Sequence, residues 1–258
     1  MIWWLLSISY GWSEPLTVAT LNLGHGRGTG VHQTFQSQQA IQQNVDRVSE
    51  IISPFSVDVL ALQEVDTRAW WSGGWNQTQR LGDGLELPYV LGGTHSQKAG
   101  LIYGTGLLSR FEFAQSNTVS KRSTFPLPPK GFVMATMMVE QQPIVVVSLH
   151  LDPIRAAIRK QQVLSLQHAL ETIEAPIIIM GDFNVEWGAE LEQFCTILNV
   201  SAHQPLEAWV TFPKLHRRLD WILFSDEIEV LAYETVEQKL SDHRLVVATV
   251  DVRGDVLD

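Results

Sequence analysis

Pro176-Ile-Ile-Ile-Met-Gly-Asp-Phe-Asn184 joins a short apolar run to two polar side chains. Consecutive apolar residues bounded by proline and glycine are typical of a strand that is buried on both faces. Asp182 and Asn184 are two residues apart, so both point the same way if the segment stays extended. A carboxylate beside an amide can orient a water and a phosphate oxygen, but the same pair is also common in turns. The segment alone leaves both interpretations open.

Other polar side chains lie at the ends of predicted apolar strands in the same way. The strands are predicted over residues 16–22, 57–62, 100–109, 133–139, 144–149, 176–180, 219–224 and 245–252. Their polar end residues are Asn22, Glu64, His150, Asp182, Asp220 and the pair Asp242-His243. One such residue is usually a turn former, whereas a set of this size predicts strand ends that converge on one pocket.

Two helices are predicted from apolar spacing and capping residues. One amphipathic stripe, which Pro54 ends, consists of Ile41, Val45, Val48 and Ile52. Asp152-Pro153 predicts the start of another helix, with Asp152 as the N-cap. Its inward side chains would be Ile154, Ile158, Leu166, Leu170 and Ile173. Strands and helices mixed without a boundary favour one α/β domain of layered sheets and helices over residues 14–252, followed by a tail at 253–258.

The composition is that of an acidic globular protein. The 258 residues include 28 acidic and 18 basic side chains, which gives a net charge of −10. An apolar content of 45% excludes a disordered chain. No apolar run reaches the roughly 20 residues of a membrane-spanning helix. The single cysteine, Cys195, excludes a disulfide framework and a cysteine-based zinc site. The acidity argues against capture of nucleic acid by bulk charge, but not against an enzyme that approaches phosphate through a metal.

Residues 1–13 carry no charged side chain and include Ile2-Trp-Trp-Leu-Leu6. This apolar run fits a short secretory signal that is cleaved before Glu14, with Gly11 and Ser13 as the small residues, although the basic start of such a signal is missing. The alternative is an apolar N-terminal strand. We favour the signal, which predicts an exported, periplasmic or secreted protein. If the segment is not a signal, we expect a cytoplasmic protein.

The motifs and their order resemble the endonuclease/exonuclease/phosphatase family, which includes pancreatic deoxyribonuclease and the bacterial sphingomyelinases. The matching segments are Thr20-Leu-Asn22, Leu62-Gln-Glu64, Gly106-Leu-Leu-Ser-Arg110, Ser148-Leu-His-Leu151, Gly181-Asp-Phe-Asn184, Thr211-Phe-Pro213 with Arg218-Leu-Asp-Trp-Ile222, and Ser241-Asp-His243. The turn Asn22-Leu-Gly-His-Gly-Arg-Gly28 also resembles a bacterial subgroup of metal-dependent hydrolases. The resemblance covers residues 16 to about 252. It implies a deoxyribonuclease-like fold, a four-layer α-β-β-α sandwich of two mainly antiparallel sheets.

The resemblance also implies a metal site. Glu64 would be the principal ligand of Mg²⁺, or of Mn²⁺ in its place, with Asn22 and Asp242 close to the ion. Oxygen ligands suit a hard cation that keeps several waters and takes substrate phosphate as a further ligand.

The resemblance gives the other motif residues roles in water activation and phosphate binding. His243 would be the general base that activates water, oriented by Asp220. Asp182 and Asn184 would position that water and the phosphoryl group. His150 would bind or protonate a phosphate oxygen.

Four residues near the motifs are candidates for contacts with the substrate: His25, Arg27, Arg110 and Arg218. The alternative for the first two is a glycine-rich turn with solvated side chains. Arg218 belongs to the basic cluster Lys214, His216, Arg217 and Arg218, for which a solvated hairpin rim is an equal alternative. Tyr103 is a candidate for the phosphate-contacting tyrosine of some relatives. The other histidines, His32, His95, His168 and His203, are assigned to surface or core.

An aromatic loop follows Glu64 and contains Trp70, Trp71 and Trp75. These side chains could stack on bases or press into lipid, or they could form a satellite core beneath the loop. We favour the satellite core.

The sequence as a whole predicts magnesium-dependent hydrolysis of a phosphodiester by direct attack of water. The substrate would be a nucleic acid, a phospholipid or a small phosphodiester. One alternative is a sphingomyelinase- or phosphoinositide-phosphatase-like phosphomonoesterase or lipase activity. Another is an inactive binding module, which ranks lower because Glu64, His150, Asp182 and His243 are all present. We expect a monomer with no obligate protein partner.

Overall fold

The strands form two six-stranded sheets in the computed structural model, which describes residues 14–98, 100–203 and 209–252. The first sheet contains β1 (Leu16–Asn22), β2 (Val59–Arg68), β3 (Tyr89–Lys98), β4 (Leu101–Ser109), β11 (Ile228–Thr235) and β12 (Val246–Val252), in the order β11-β12-β1-β2-β4-β3. The second contains β5 (Phe113–Lys121), β6 (Lys130–Val139), β7 (Gln142–His150), β8 (Ile177–Asp182), β9 (Ser201–Ala202) and β10 (Asp220–Phe224), in the order β5-β6-β7-β8-β10-β9. Both sheets are mainly antiparallel.

Each sheet contains one parallel strand pair, and a helix connects its two strands. β1 and β2 are parallel and α1 (Gln38–Ile52) lies between them in the chain, while β7 and β8 are parallel and are connected through α3 (Ala156–Leu170). The other two helices are α2 (Gln77–Leu85) and α4 (Ala189–Leu198). The carboxyl ends of parallel strands lie at the same edge of a sheet. The end residues of each parallel pair are therefore neighbours.

Three hydrophobic cores separate four layers. One core lies between the sheets and includes Val18, Val59, Val146 and Ile222. A second packs the helices α3 and α4 on the second sheet, and a third packs α1 and α2 on the first. Burial of each such side chain stabilises the fold by roughly 1.5–3 kcal/mol before conformational entropy is subtracted. The four-layer α-β-β-α sandwich predicted from the family resemblance is confirmed.

Successive side chains of the central strands face alternate cores. In β8, Ile178 and Met180 face the other sheet, whereas Ile179 faces the helices. The same alternation holds in β1, β7 and β10. Because side chains alternate with a period of two, the polar residue at each strand end shares the face of the inter-sheet residues. The side chains in question are Asn22, His150, Asp182 and Asp220.

The helix α1 forms as predicted. Its apolar stripe Ile41, Val45, Val48 and Ile52 is buried. Ser37 caps the helix, since its side chain accepts a hydrogen bond from the Ala40 amide. Pro54 lies in a short 3₁₀ turn directly after the helix.

The predicted start of α3 is wrong by three residues. The helix begins at Ala156, and Ile154, expected to face inward, is exposed. Asp152 instead accepts hydrogen bonds from the Ile154 and Arg155 amides and from the side chains of Ser123 and Thr124. It thereby ties the loop before β6 to the end of β7. Asp152 thus makes the amide bonds of an N-cap, but the turn that it caps does not continue as a helix, which begins only at Ala156.

The elements for which the sequence prediction gave no bounds are the strands β3, β5, β9 and β11 and the helices α2 and α4. β5 is largely exposed and polar, so it lacks the apolar run on which the prediction depends.

The signal segment predicted at 1–13 and the tail predicted at 253–258 lie outside the described residues. Within the described ranges, no helix is long and apolar enough to cross a membrane.

Candidate active site

Asp182 is the centre of a polar cluster at the carboxyl ends of the parallel strands. Its Oδ2 accepts a hydrogen bond from Asn22 Nδ2 at 3.0 Å and lies 3.4 Å from His150 Nε2 and 3.8 Å from His243 Nε2. Its Oδ1 accepts from the Asn184 amide at 2.9 Å. The strand ends predicted to converge do converge, and they do so across the two sheets.

Glu64 reaches this cluster through a β-bulge. The sequence prediction ended the second strand before Glu64, but β2 continues to Arg68. Its register shifts between Gln63 and Val65, and Glu64 has a positive φ of 50°. Because of the extra residue, Val65 packs with Leu60 and Leu62 in the core between the first sheet and its helices. Glu64 is therefore released from the regular alternation and its side chain lies in the pocket.

His243 and Asp220 form a buried dyad. His243 Nδ1 lies 2.8 Å from Asp220 Oδ2, which leaves Nε2 directed toward Asp182. Burial disfavours the imidazolium, but the carboxylates of Asp220, Asp182 and Asp242 outweigh it and raise the pKa of His243 to about 10. With this pKa, the His243 ring is protonated at neutral pH. The predicted general-base role requires that this pKa be lowered when the site is filled.

Ser241 fixes the loop that carries Asp242 and His243. Its Oγ donates to the Asn22 carbonyl at 2.5 Å and accepts from the His243 amide at 2.9 Å. The loop before β12 is thereby attached to the end of β1.

Arg27 lies between two carboxylates from distant parts of the chain. Its Nη1 is 3.3 Å from Glu64 Oε2 and its Nη2 is 2.7 Å from Asp242 Oδ2. These carboxylates are two of the three predicted metal ligands. Arg27, predicted as a substrate contact, thus lies beside two predicted metal ligands, and its observed partners are acidic.

His25 is held by a second histidine–carboxylate pair. Its Nδ1 lies 2.7 Å from Asp66 Oδ1, and Trp71 Nε1 donates to the other oxygen of Asp66 at 2.6 Å. The ring also makes an edge contact with Tyr103, at 5.1 Å between centroids. His25 Nε2 is 3.8 Å from Glu64 Oε2, so His25 and Tyr103 both lie in the wall of the pocket.

The tryptophan side chains of the loop after Glu64 are divided between core and surface. Trp71 and Trp75 pack in a satellite core, whereas Trp70 is 61% exposed.

Lys130 and His95 are pocket residues that the sequence reasoning missed. They line, with Glu64 and His150, a cavity of about 40 Å³. Lys130 Nζ lies 2.6 Å from His150 Nε2 and 3.8 Å from Glu64 Oε1. Burial and the Lys130 charge lower the pKa of His95 to about 4 and that of His150 to about 3, so both rings are neutral at pH 7. The only signal in the sequence was a lysine at the start of an apolar strand, which is common on surfaces.

Two predicted substrate contacts do not belong to the pocket. Arg110 follows β4, next to the start of β2, and pairs with Asp58. It is about 16 Å along the sheet from the bulge at Glu64. Arg218 stacks at 3.7 Å on the Trp221 ring and donates to the hydroxyl of Tyr233. Both arginines have structural partners, so a motif match did not translate into a contact with the site.

Asn184 and the basic cluster are also accounted for by local contacts. Asn184 Nδ2 donates to the Leu151 carbonyl at 3.0 Å, which attaches the loop after β8 to the end of β7. Arg217 pairs with Glu186 at 2.8 Å, and Lys214 and His216 are exposed. These three residues of the basic cluster lie at a solvated rim, whereas Arg218 packs on Trp221.

The carboxylates around Arg27 fit a hard divalent cation. Glu64, Asp242 and Asn22 offer oxygen donors, and Asp242 Oδ1 is buried without a hydrogen-bond partner among the described residues. A second group, Asp182, Asp220 and His243, presents ligand atoms within 4.8 Å of one another. Within this second group, His243 Nδ1 and Asp220 Oδ2 are 2.8 Å apart.

The chain belongs to the endonuclease/exonuclease/phosphatase family, whose sequence profile matches residues 19–243. Members of this family are generally metal-dependent phosphoester hydrolases, so the protein is an enzyme that acts on phosphoester bonds. No match was found among curated proteins.

Solved structures of the same fold cover nearly the whole chain. An endonuclease/exonuclease/phosphatase from Bacteroides vulgatus is 20% identical with a TM-score of 0.74, over 93% of this chain and 99% of the other. A mannosyl-6-phosphatase from Bacteroides thetaiotaomicron is 16% identical with a TM-score of 0.69, over 91% and 99% of the two chains. The beta toxin of Staphylococcus aureus is 16% identical with a TM-score of 0.65, over 90% and 99%. At this identity, the likeness is one of fold.

Proposed function

We propose that the protein hydrolyses a phosphodiester by direct attack of water, with Mg²⁺ as the cofactor. The observation that carries the proposal is the convergence of Asn22, His150 and His243 on the carboxylate of Asp182, within 4 Å. Such a group of acid–base and amide side chains can hold a water and a phosphoryl group together.

Glu64 and Asp242, with Asn22, are proposed to hold the cation. A bound divalent ion neutralises charge on a phosphoryl oxygen in the transition state. The other roles belong to the chain itself. Asp220 orients His243, whose Nε2 is proposed to take a proton from the water, and the neutral ring of His150 can hydrogen-bond a phosphate oxygen. Asp182 is proposed to position the water, and the Asn184 amide holds the Asp182 carboxylate through Oδ1.

A phosphomonoester is the second candidate substrate class. A terminal phosphate carries more negative charge than a diester and needs additional cationic partners. Two buried cations, Arg27 and Lys130, lie beside Glu64 at 3.3 and 3.8 Å. Their presence supports this class, and the mannosyl-6-phosphatase of the same fold makes a sugar phosphate a reasonable test compound.

Exposed apolar side chains support a phospholipid over a nucleic acid among the diesters. They lie on the loops that carry or adjoin the pocket residues, and they are Val31, Phe35, Trp70, Phe125 and Ile154. A contiguous apolar surface at a site commonly marks contact with an apolar partner, and these side chains are proposed to form one. The net charge of −10 argues in the same direction, because binding to nucleic acid draws on lysines and arginines.

The experiment is a substrate panel with Mg²⁺, Mn²⁺ or EDTA. The substrates are bis-p-nitrophenyl phosphate, p-nitrophenyl phosphate, mannose 6-phosphate, plasmid DNA and sphingomyelin vesicles. We expect turnover that EDTA abolishes and that Asp182→Asn reduces strongly, with Arg110→Gln as the matched control outside the pocket. Undiminished turnover in EDTA would contradict the proposed cofactor.

A further inference from the structure

The Arg27 guanidinium bridges the two carboxylates to which the proposed function assigns the divalent cation. One nitrogen is 3.3 Å from Glu64 and the other is 2.7 Å from Asp242. The Arg27 side chain is only 13% exposed, so the bridge is largely shielded from solvent. An ion pair in such surroundings is weakly screened by salt.

The chain around Arg27 is shaped to accept the folded-back side chain. Gly24 has a φ of +58°, and a Cβ at that position would lie 2.8 Å from Arg27 Nη1. The Gly24 amide donates to Asn22 Oδ1 at 3.1 Å, and the Arg27 amide donates to the Gly24 carbonyl at 3.1 Å. A residue with a side chain at position 24 would therefore displace the guanidinium from the two carboxylates.

The guanidinium and a divalent ion have the same electrostatic partners. Glu64 Oε2 and Asp242 Oδ2 contact Arg27, while Lys130 lies on the other oxygen of Glu64. A divalent ion bound to these carboxylates would be next to a fixed positive charge. Repulsion between like charges at such distances weakens binding unless one of them moves. The Arg27 guanidinium lies at the end of a side chain with several rotatable bonds, so rotation about those bonds can take it away from the carboxylates.

We propose that Arg27 is a built-in competitor for the divalent cation. In the ion-free protein it neutralises Glu64 and Asp242 and holds them together. When the cation binds, Arg27 leaves at least one of these carboxylates and becomes available to an anionic group of the substrate. The inference rests on the proposed metal dependence, but it concerns the free-energy cost of metal binding and not the reaction.

The test is a calorimetric titration with Mn²⁺, without substrate, of the wild-type protein, Arg27→Gln and the control Arg110→Gln. We expect Arg27→Gln to bind Mn²⁺ about tenfold more tightly, within the usual range of coupling between sites. Arg110→Gln should match the wild type. In EDTA, Arg27→Gln should have a lower Tm than the wild type, because Glu64 and Asp242 then repel each other, and saturating Mn²⁺ should abolish that difference.

Arg27→Lys provides a second variant that keeps the charge but cannot span both carboxylates. It should bind Mn²⁺ with an affinity between those of the wild type and Arg27→Gln, and circular dichroism verifies that each variant is folded. Equal or weaker Mn²⁺ binding in Arg27→Gln overturns the inference and leaves the proposed function intact. Absence of Mn²⁺ binding in every variant overturns both.

Discussion

Asn22 and Asp182 are joined by a hydrogen bond of 3.0 Å that crosses from one sheet to the other, although 160 residues separate them in the chain. Each residue ends one strand of a parallel pair, so the bond connects the carboxyl edges of both pairs. It also fixes the Asp182 carboxylate toward His150 and His243.

Asp182→Asn should separate activity from stability. Burial and the neighbouring Asp220 carboxylate raise the pKa of Asp182, against the opposing effect of His150, which means that the charge is costly to the fold. We therefore expect kcat to fall at least about 100-fold, while Tm stays the same or rises. Steady-state kinetics and thermal unfolding measure the two quantities. A large fall in Tm would show that the carboxylate stabilises the fold instead.

His243→Ala and Asp220→Asn should act through one dyad. Each is expected to lower kcat at least about 100-fold, because Asp220 orients His243 at 2.8 Å. The double variant should lose little more than His243→Ala alone, since interacting residues are not additive. Multiplicative losses in the double variant would mean that the two residues act independently.

Lys130→Met should distinguish the two substrate classes. A lysine that contacts an additional phosphate oxygen matters more for a terminal phosphate than for a diester. We expect kcat/KM for p-nitrophenyl phosphate to fall at least about tenfold more than that for bis-p-nitrophenyl phosphate. Lys121→Met, on the exposed strand β5, is the control and should leave both unchanged. Equal losses on the two substrates would assign Lys130 to positioning of His150 and Glu64.

Asp152→Asn should lower stability in a pH-dependent way. Burial alone would raise the pKa of Asp152, but hydrogen bonds from Ser123 and from the amides of Arg155, Thr124 and Ile154 lower it well below its usual range. A carboxyl with a lowered folded pKa contributes stability above its unfolded pKa of about 3.9 and loses it as pH falls further.

At pH 7 the free energy of unfolding should therefore be about 2 kcal/mol lower in Asp152→Asn than in the wild type. The difference should shrink as pH falls below about 4. Urea unfolding at a series of pH values measures it. A difference that is constant with pH would point to a packing effect and not to the charge.

Trp70→Ala and Phe125→Ala should affect only a lipid substrate. Both side chains are exposed, at 61% and 93%, on the loops after β2 and before β6, respectively. We expect slower hydrolysis of sphingomyelin vesicles with unchanged hydrolysis of bis-p-nitrophenyl phosphate. Leu164→Ala, an exposed position on α3, is the control for loss of apolar surface elsewhere. Loss of activity on the soluble diester as well would contradict a surface role.

Much of the site was predictable because strand periodicity is local. Asn22, His150, Asp182 and Asp220 each lie an even number of residues from the side chains of the same strand that face the other sheet. Their common orientation follows from a period of two and needs no tertiary information. The apolar stripe of α1 was predictable for the same reason, with a period of 3.6.

Glu64 illustrates what strand periodicity missed. Leu60 and Leu62 face the helices, so regular alternation along β2 would make Glu64 face the helices too. Only the bulge between Gln63 and Val65 brings Glu64 to the pocket. A bulge depends on how β2 pairs with β4, whose partner residues are about 40 positions further along the chain. The start of α3 was misplaced for a similar reason. The hydrogen bonds of Asp152 include those from Ser123 and Thr124, which are distant in sequence and which no local pattern predicts.

The sequence by itself determined the family, the layered α/β architecture and most of the residues that converge on Asp182, since motif order and side-chain periodicity are properties of the local chain. Only the tertiary structure decided which side chains are paired with one another in ion pairs, hydrogen bonds and ring contacts. Arg27 is paired with residues 37 and 215 positions away, and Arg110 and Arg218 have structural contacts. An ion pair depends on distances between side chains that folding alone brings within 4 Å, and no spacing along the chain encodes them.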